Sequence, residues 1–180
     1  MSIGRLDLWR HQPCPSVGAA SAGLSGAGKT TIANAASVQL AKAGTPTFVV
    51  DGDMLRSGLC SDLGFTQADR TENIRRAAEL CKLLNAAGIT VFASLISPLA
   101  TDREFAKQII GSSFIEVYVS TSSEVCMERD VKGLYARAKA GIIPNFTGLT
   151  APYEFPTAPD LVIDTSIIAL PNAVSLLLSK

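Results

Sequence analysis

The segment Gly23-Leu24-Ser25-Gly26-Ala27-Gly28-Lys29-Thr30 constrains this chain more than any other. It completes the pattern G-x-x-x-x-G-K-[ST] and stands directly before a stretch of helical periodicity. Glycines let a backbone wrap closely enough for successive N–H groups to point at phosphate oxygens, and the following helix adds the positive end of its dipole. An isolated glycine-rich turn would bind nothing, but the full motif in a strand–turn–helix context argues for a nucleotide. The expected ATP-binding residues are Gly23, Leu24, Ser25, Gly26, Ala27, Gly28, Lys29, Thr30 and Thr31. Lys29 is expected at the β- and γ-phosphates, and the Thr30 hydroxyl on Mg²⁺.

Strand-like apolar runs alternate with helical periodicity along the chain, as in βαβ units around a parallel sheet. Strands are expected at 17–22, Thr47–Val50, Ile89–Ile96, Phe114–Ser120 and Leu161–Ile163. Gly44 and Pro46 stop the first helix, Thr66 caps the next, and Gly88 ends it. Thr101 with Glu104 and Thr121 with Glu124 fit capping boxes, and Pro171 opens the last helix. The expected fold is α/β: a three-layer P-loop kinase fold with a mostly parallel five-stranded central sheet and helices on both faces. Between Asp130 and Pro159, glycines, prolines and basic residues accumulate and periodicity fades, which predicts a mobile lid over 130–159. The first strand is small and weakly apolar, which predicts poor packing at the centre of the sheet.

The chain has 180 residues, enough for one domain over 1–180. Its 16 Lys and Arg balance 16 Asp and Glu, so no overall field draws it to nucleic acid or an anionic membrane, and neither is expected as a partner. No apolar run approaches the roughly 20 residues needed to span a bilayer. The N-terminus, with Arg5, Asp7, Arg10 and His11, does not resemble a secretory signal, so a cytoplasmic location is expected. Cys14, Cys60, Cys81 and Cys126 are scattered and read as reduced structural thiols. With His11 as the only histidine, chemistry must run on carboxylates, lysine, hydroxyls and metal.

Asp51-Gly52-Asp53 follows the second strand on the same sheet edge as the phosphate loop, where open α/β folds bind ligands. One carboxylate would hold Mg²⁺ through water while the other takes the proton of an attacking hydroxyl. A solvated D-G turn is the plain alternative.

Here the sequence becomes recognisable. Asp51-Gly52-Asp53, Arg56, Asp62-Leu63-Gly64-Phe65, Asp69-Arg70, Glu72-Asn73-Ile74-Arg75-Arg76, Ile96-Ser97-Pro98, Lys132-Gly133-Leu134-Tyr135 and Asn145-Phe146-Thr147-Gly148 together resemble the adenylyl-sulfate kinase family. The resemblance runs in order from about Gly23 to Thr165. It implies ATP-dependent phosphorylation of adenylyl sulfate on its ribose 3′-hydroxyl, giving 3′-phosphoadenylyl sulfate and ADP in sulfate assimilation. It also implies a homodimer.

By the same resemblance, Asp53 is the first choice for catalytic base and a metal-positioning group beside Thr30, with Asp51 second. Lys29 and Ser97 complete the implied catalytic set. The implied substrate residues are Arg56, Phe65, Arg70, Asn73, Ile96, Ser97, Lys132, Leu134 and Phe146, with Phe146 closing over adenine opposite Phe65. Arginine forks suit sulfate and phosphate oxygens, and an aromatic face suits adenine. Taken without the family, Phe65 would be core, and Arg70, Arg75 and Arg76 a solvated helix face. Arg129 is placed against the adenine of ATP; a cation favoured by a helix C-terminus is the alternative.

Met54 stands where the family usually has asparagine, Val131 where it has proline, and the segment through Ala22 does not resemble it; residues 1–16 read as atypical. Two other readings follow: a P-loop kinase for another small molecule, and a catalytically weakened nucleotide-binding regulatory paralogue.

Overall fold

In the computed structural model, residues 18–180 are described, so the expectations for 1–17, including His11 and Cys14, lie outside them. Five strands form one sheet: β1 (Gly18–Ala22), β2 (Thr47–Asp51), β3 (Thr90–Ser94), β4 (Phe114–Val119) and β5 (Leu161–Ile163). The order is β2-β3-β1-β4-β5 and every pairing is parallel. Connected strands therefore run to both sides of β1, and the loop after it sits at the switch point where such sheets bind ligands.

Helices α1 (Lys29–Lys42), α2 (Gly52–Ser57), α3 (Gln67–Ala86), α4 (Ala100–Ile110), α5 (Ser123–Arg129), α6 (Leu134–Lys139) and α7 (Leu170–Leu178) cover both faces. Alternate β1 residues feed two cores, as a strand period of two requires. Ala19 packs with Ile32 and Ala36 of α1 and with Val174 and Leu177 of α7. Ala20 packs against the other cluster, built on Ile74 and Cys81 of α3 and Ala106 of α4. The small β1 side chains leave a void of only about 10 Å³ beside Ala19 and Ser21, because Ile32, Phe92, Val117 and Leu177 line and nearly fill it.

Local chemistry sets most boundaries. Gly44 (φ 83°) and Gly88 (φ 80°) turn the chain after α1 and α3. Thr66 caps α3 through a reciprocal box with Asp69. The two other expected boxes do not form. At α4 the cap is Leu99, with no side-chain bond of its own; the first-turn N–H of Ala100 is taken at 2.7 Å by the carboxylate of distant Glu154. At α5 the cap is Ser122, because the Thr121 hydroxyl turns inward to the Ala27 carbonyl and to Thr165. The D-G turn, the plain alternative after β2, does not form: Gly52 starts α2, with the Asp51 carboxylate accepting the Asp53 N–H as N-cap. The 130–159 segment carries α6 and a bridge between Thr147 and Ala151.

Candidate active site

The phosphate loop is held open by side chains that engage its carbonyls from behind. Lys29 Nζ donates to the carbonyls of Gly23 and Leu24 at 2.9 and 2.7 Å. Tyr135 donates to Ser25 at 3.0 Å, and Arg129 to Gly26 at 3.4 Å. Thr121 and Thr165 both donate to Ala27, at 3.2 and 2.8 Å. Turned outward in this way, the carbonyls leave the N–H groups to line an anion site at the head of α1. Gly23, Gly26 and Gly28 have φ of 154°, 80° and 99°, and a Cβ on Gly23 would stand 2.7 Å from the Val119 carbonyl oxygen. Burial pushes the Lys29 ammonium down to about 8.

Thr30 Oγ1 lies 2.7 Å from Asp51 Oδ2 and 2.8 Å from Ser94 Oγ, joining the ends of three neighbouring elements. Hard oxygen donors at the loop's mouth fit Mg²⁺, which takes one or two protein oxygens and fills its shell with phosphate and water. Among the described residues no cluster of three or more His, Cys, Asp or Glu offers an all-protein cage. Asp53, expected beside Thr30, instead ion-pairs with Lys132 of the lid segment. Asp51 is thus the carboxylate on the Thr30 side.

Opposite the loop, Arg56 and Arg70 flank Phe65 with their guanidinium carbons 4.3 and 5.8 Å from its ring centroid. Phe65 is 60% exposed, so it is not core. Asn73 is buried, and its Oδ1 has no hydrogen-bond partner among the described residues. Ser97 follows β3 with φ 45°, a left-handed backbone rare outside glycine, and its carbonyl is held by buried Arg103 at 2.9 Å. Arg70 also reaches across to the lid, donating to the Asn145 carbonyl at 2.7 Å and Thr147 Oγ1 at 2.9 Å. Phe146 is buried edge-on against Tyr135, with ring centroids 4.9 Å apart.

Most of the expected site residues meet in one cleft of about 560 Å³. Ser25, Gly26, Gly28, Lys29, Thr30, Thr31, Asp51 and Asp53 line its phosphate-loop side. Arg56, Phe65, Arg70, Asn73, Ile96, Ser97, Lys132, Leu134 and Phe146 line the other. Gly23, Leu24, Ala27 and Arg129 are not on its wall; Arg129 is engaged with the hydroxyl and carbonyl of Thr165 at 2.7 and 3.0 Å. Arg75 and Arg76 serve structure: both clasp Glu72, drawing its carboxyl down to about 2, and Arg76 forks onto Asp62. Met54 is exposed and off the wall of the cleft, whereas Val131 lies on it, 79% exposed. The residues missed by sequence reasoning are Ser94, Arg103, Thr121 and Thr165, whose roles depend on contacts across strands; Tyr135 lay in a noticed motif without a role.

A family model described as adenylylsulphate kinase matches residues 19–164. The adenylyl-sulfate kinase of Prochlorococcus marinus is 45% identical over 180 residues, covering 99% of this chain and 90% of that protein. The adenylyl-sulfate kinase of Shewanella pealeana is 52% identical over 157 residues, covering 87% and 77%. Among solved structures, the Mycobacterium tuberculosis APS kinase in complex with AMPPNP and APS matches with a TM-score of 0.88 and 38% identity, covering 91% of this chain and 96% of that one. A match reaching from β1 to just past β5, in a chain whose strand order and phosphate loop already point to a nucleotide kinase, means that this protein belongs to the adenylyl-sulfate kinase family.

Proposed function

We propose that this protein transfers the γ-phosphoryl group of ATP to the ribose 3′-hydroxyl of adenylyl sulfate, giving ADP and 3′-phosphoadenylyl sulfate. The observation that carries this reading is the cleft, in which the phosphate loop faces Phe65, its two arginines and the unpartnered Asn73 oxygen, with Asp51 and Asp53 on the wall. The relative solved with AMPPNP and APS supports both substrates.

Nucleotide phosphates would draw Lys29 off the Gly23 and Leu24 carbonyls onto the β- and γ-phosphates. Thr30, with Asp51 beside it, would hold Mg²⁺, whose charge neutralises the phosphate oxygens when it is bound. Arg56, Arg70 and Asn73 would orient adenylyl sulfate, with Phe65 and Phe146 bounding its adenine and Ile96, Ser97 and Leu134 its sides. The 3′-oxygen attacks γ-phosphorus, its proton passes to the Asp53 carboxylate, and the bond to the ADP oxygen breaks. Lys132 leaves Asp53 for the phosphosulfate as the 130–159 segment closes and excludes water. Ser97 hydrogen-bonds substrate, and the phosphoryl group passes directly to the 3′-oxygen without a serine intermediate. Arg129, pivoting from Thr165, would lie against the adenine of ATP.

The enzyme works in the cytoplasm, as one domain, and as a homodimer; exposed Phe155, Val162 and Ile167, on and beside the β5 edge, supply apolar surface for such a contact. The test is turnover of Mg·ATP with adenylyl sulfate, identifying the product by mass. Formation of 3′-phosphoadenylyl sulfate, reduced at least ~100-fold in kcat by Asp53→Ala, is the expected result. ATP binding without product would overturn it in favour of a regulatory nucleotide-binding role.

A further inference from the structure

Most braces on the phosphate loop come from the loop itself, from α5 or from the strand ends. Among the described residues, Tyr135 alone donates a hydrogen bond to it from the lid segment, beside the packing of Gly148 on Leu24. It lies in the first turn of α6, where the Asp130 carboxylate accepts its N–H at 2.9 Å. Its hydroxyl donates to the Ser25 carbonyl at 3.0 Å, and its ring meets Phe146 at 75°. The side chain is 3% exposed, and the Cys126 thiol lies beside its hydroxyl. One residue therefore touches the nucleotide loop at one end and an acceptor-side aromatic at the other. A buried tyrosine needs some hydrogen-bond partner. This one takes a carbonyl whose orientation decides where the next loop N–H points, since each peptide plane is rigid.

We propose that Tyr135 is a positioning residue that couples the two substrate sites: its hydroxyl fixes the phosphate loop, and its ring transmits the seating of Phe146 and the lid to that loop. Acceptor binding that settles Phe146 tightens Tyr135 on Ser25 and thereby raises nucleotide affinity. By linkage, nucleotide raises acceptor affinity by the same factor. The coupling half of this inference rests on adenylyl sulfate being the acceptor; the loop half does not.

Tyr135→Phe keeps the ring and removes only the hydroxyl. Calorimetric Kd values for Mg·AMPPNP are measured with and without saturating adenylyl sulfate, in wild type and variant, alongside melting temperatures. The expected result is a wild-type nucleotide affinity that adenylyl sulfate enhances. In the variant, Kd alone rises about five-fold and the enhancement shrinks, while Tm falls only by the few degrees that loss of one buried hydrogen bond entails. Wild-type Kd and enhancement in the variant would overturn the proposal, as would a wild type in which adenylyl sulfate changes nothing. A variant that melts early but whose folded fraction binds with both values intact would reduce Tyr135 to a packing role, and so overturn it too. Wild-type turnover separates the two claims. Its absence sinks the substrate assignment, whereas the nucleotide arm still decides the loop contact.

Discussion

Lys29 is a cation buried before its anionic partner arrives, and that sets a proton balance. With its value lowered to about 8 by desolvation, part of the population is neutral above that pH. Phosphate oxygens at the same ammonium restore its charge, so binding must take up a proton wherever the free lysine is partly deprotonated. The sign follows: affinity for Mg·AMPPNP is flat below about pH 8 and weakens as pH rises above it. Calorimetry at pH 8.5 in buffers of different ionisation enthalpy should show net proton uptake, absent in Lys29→Met; no uptake in wild type would mean the lysine is already fully charged. The motif made the placement of Lys29 and Thr30 legible through local spacing, and the end of the second strand that of the carboxylate pair. The partner of each carboxylate was not. Asp51 meets Thr30 because β2 and β3 align Asp51 with Ser94, and Asp53 meets Lys132 only through the lid, contacts that no local pattern encodes.

Among the elements, α3 shows how a helix carries both structure and site. Thr66 starts it, Arg75 and Arg76 pair with Glu72 along its own face, Arg76 ties it to Asp62, and Arg70 projects from its first turns toward Phe65 and the lid. The local cap was readable; the cap of α4 was not, since Glu154 supplies it from 54 residues away. The family resemblance offers Arg70 as a substrate ligand, but nothing in the sequence marks it as a tie to Asn145 and Thr147. That tie should set the lid's resting stability. Arg70→Ala should speed amide hydrogen exchange across 145–151 in the substrate-free protein, while exchange in β3 and α1 stays at wild-type rates. It should also raise KM for adenylyl sulfate about ten-fold or more, as loss of a charged hydrogen-bonding group predicts. Unchanged exchange in that segment would leave Arg70 a ligand only.

At the scale of the whole molecule, alternating periodicities were enough to give a parallel sheet with helices on both faces, but not how well its central strand would pack. Gly18–Ala22 looked too small for a sheet centre, yet flanking β3, β4, α1 and α7 bring larger side chains into the space, leaving about 10 Å³. Volume missing in one strand was supplied by neighbours distant in sequence, which composition cannot reveal. The consequence is a scaffold already assembled around the phosphate loop, and ligand should stabilise it by mass action alone. At a free concentration 100 times its Kd, Mg·AMPPNP should add about 2.7 kcal/mol. For a chain of this size that corresponds to a rise in Tm of roughly 5–10 °C. Broad melting that nucleotide barely shifts would instead mean that the small central strand leaves the loop unformed in solution. A sharp transition moving by the expected amount, and further when adenylyl sulfate is added, would show the loop and the acceptor side drawing on one cooperative fold.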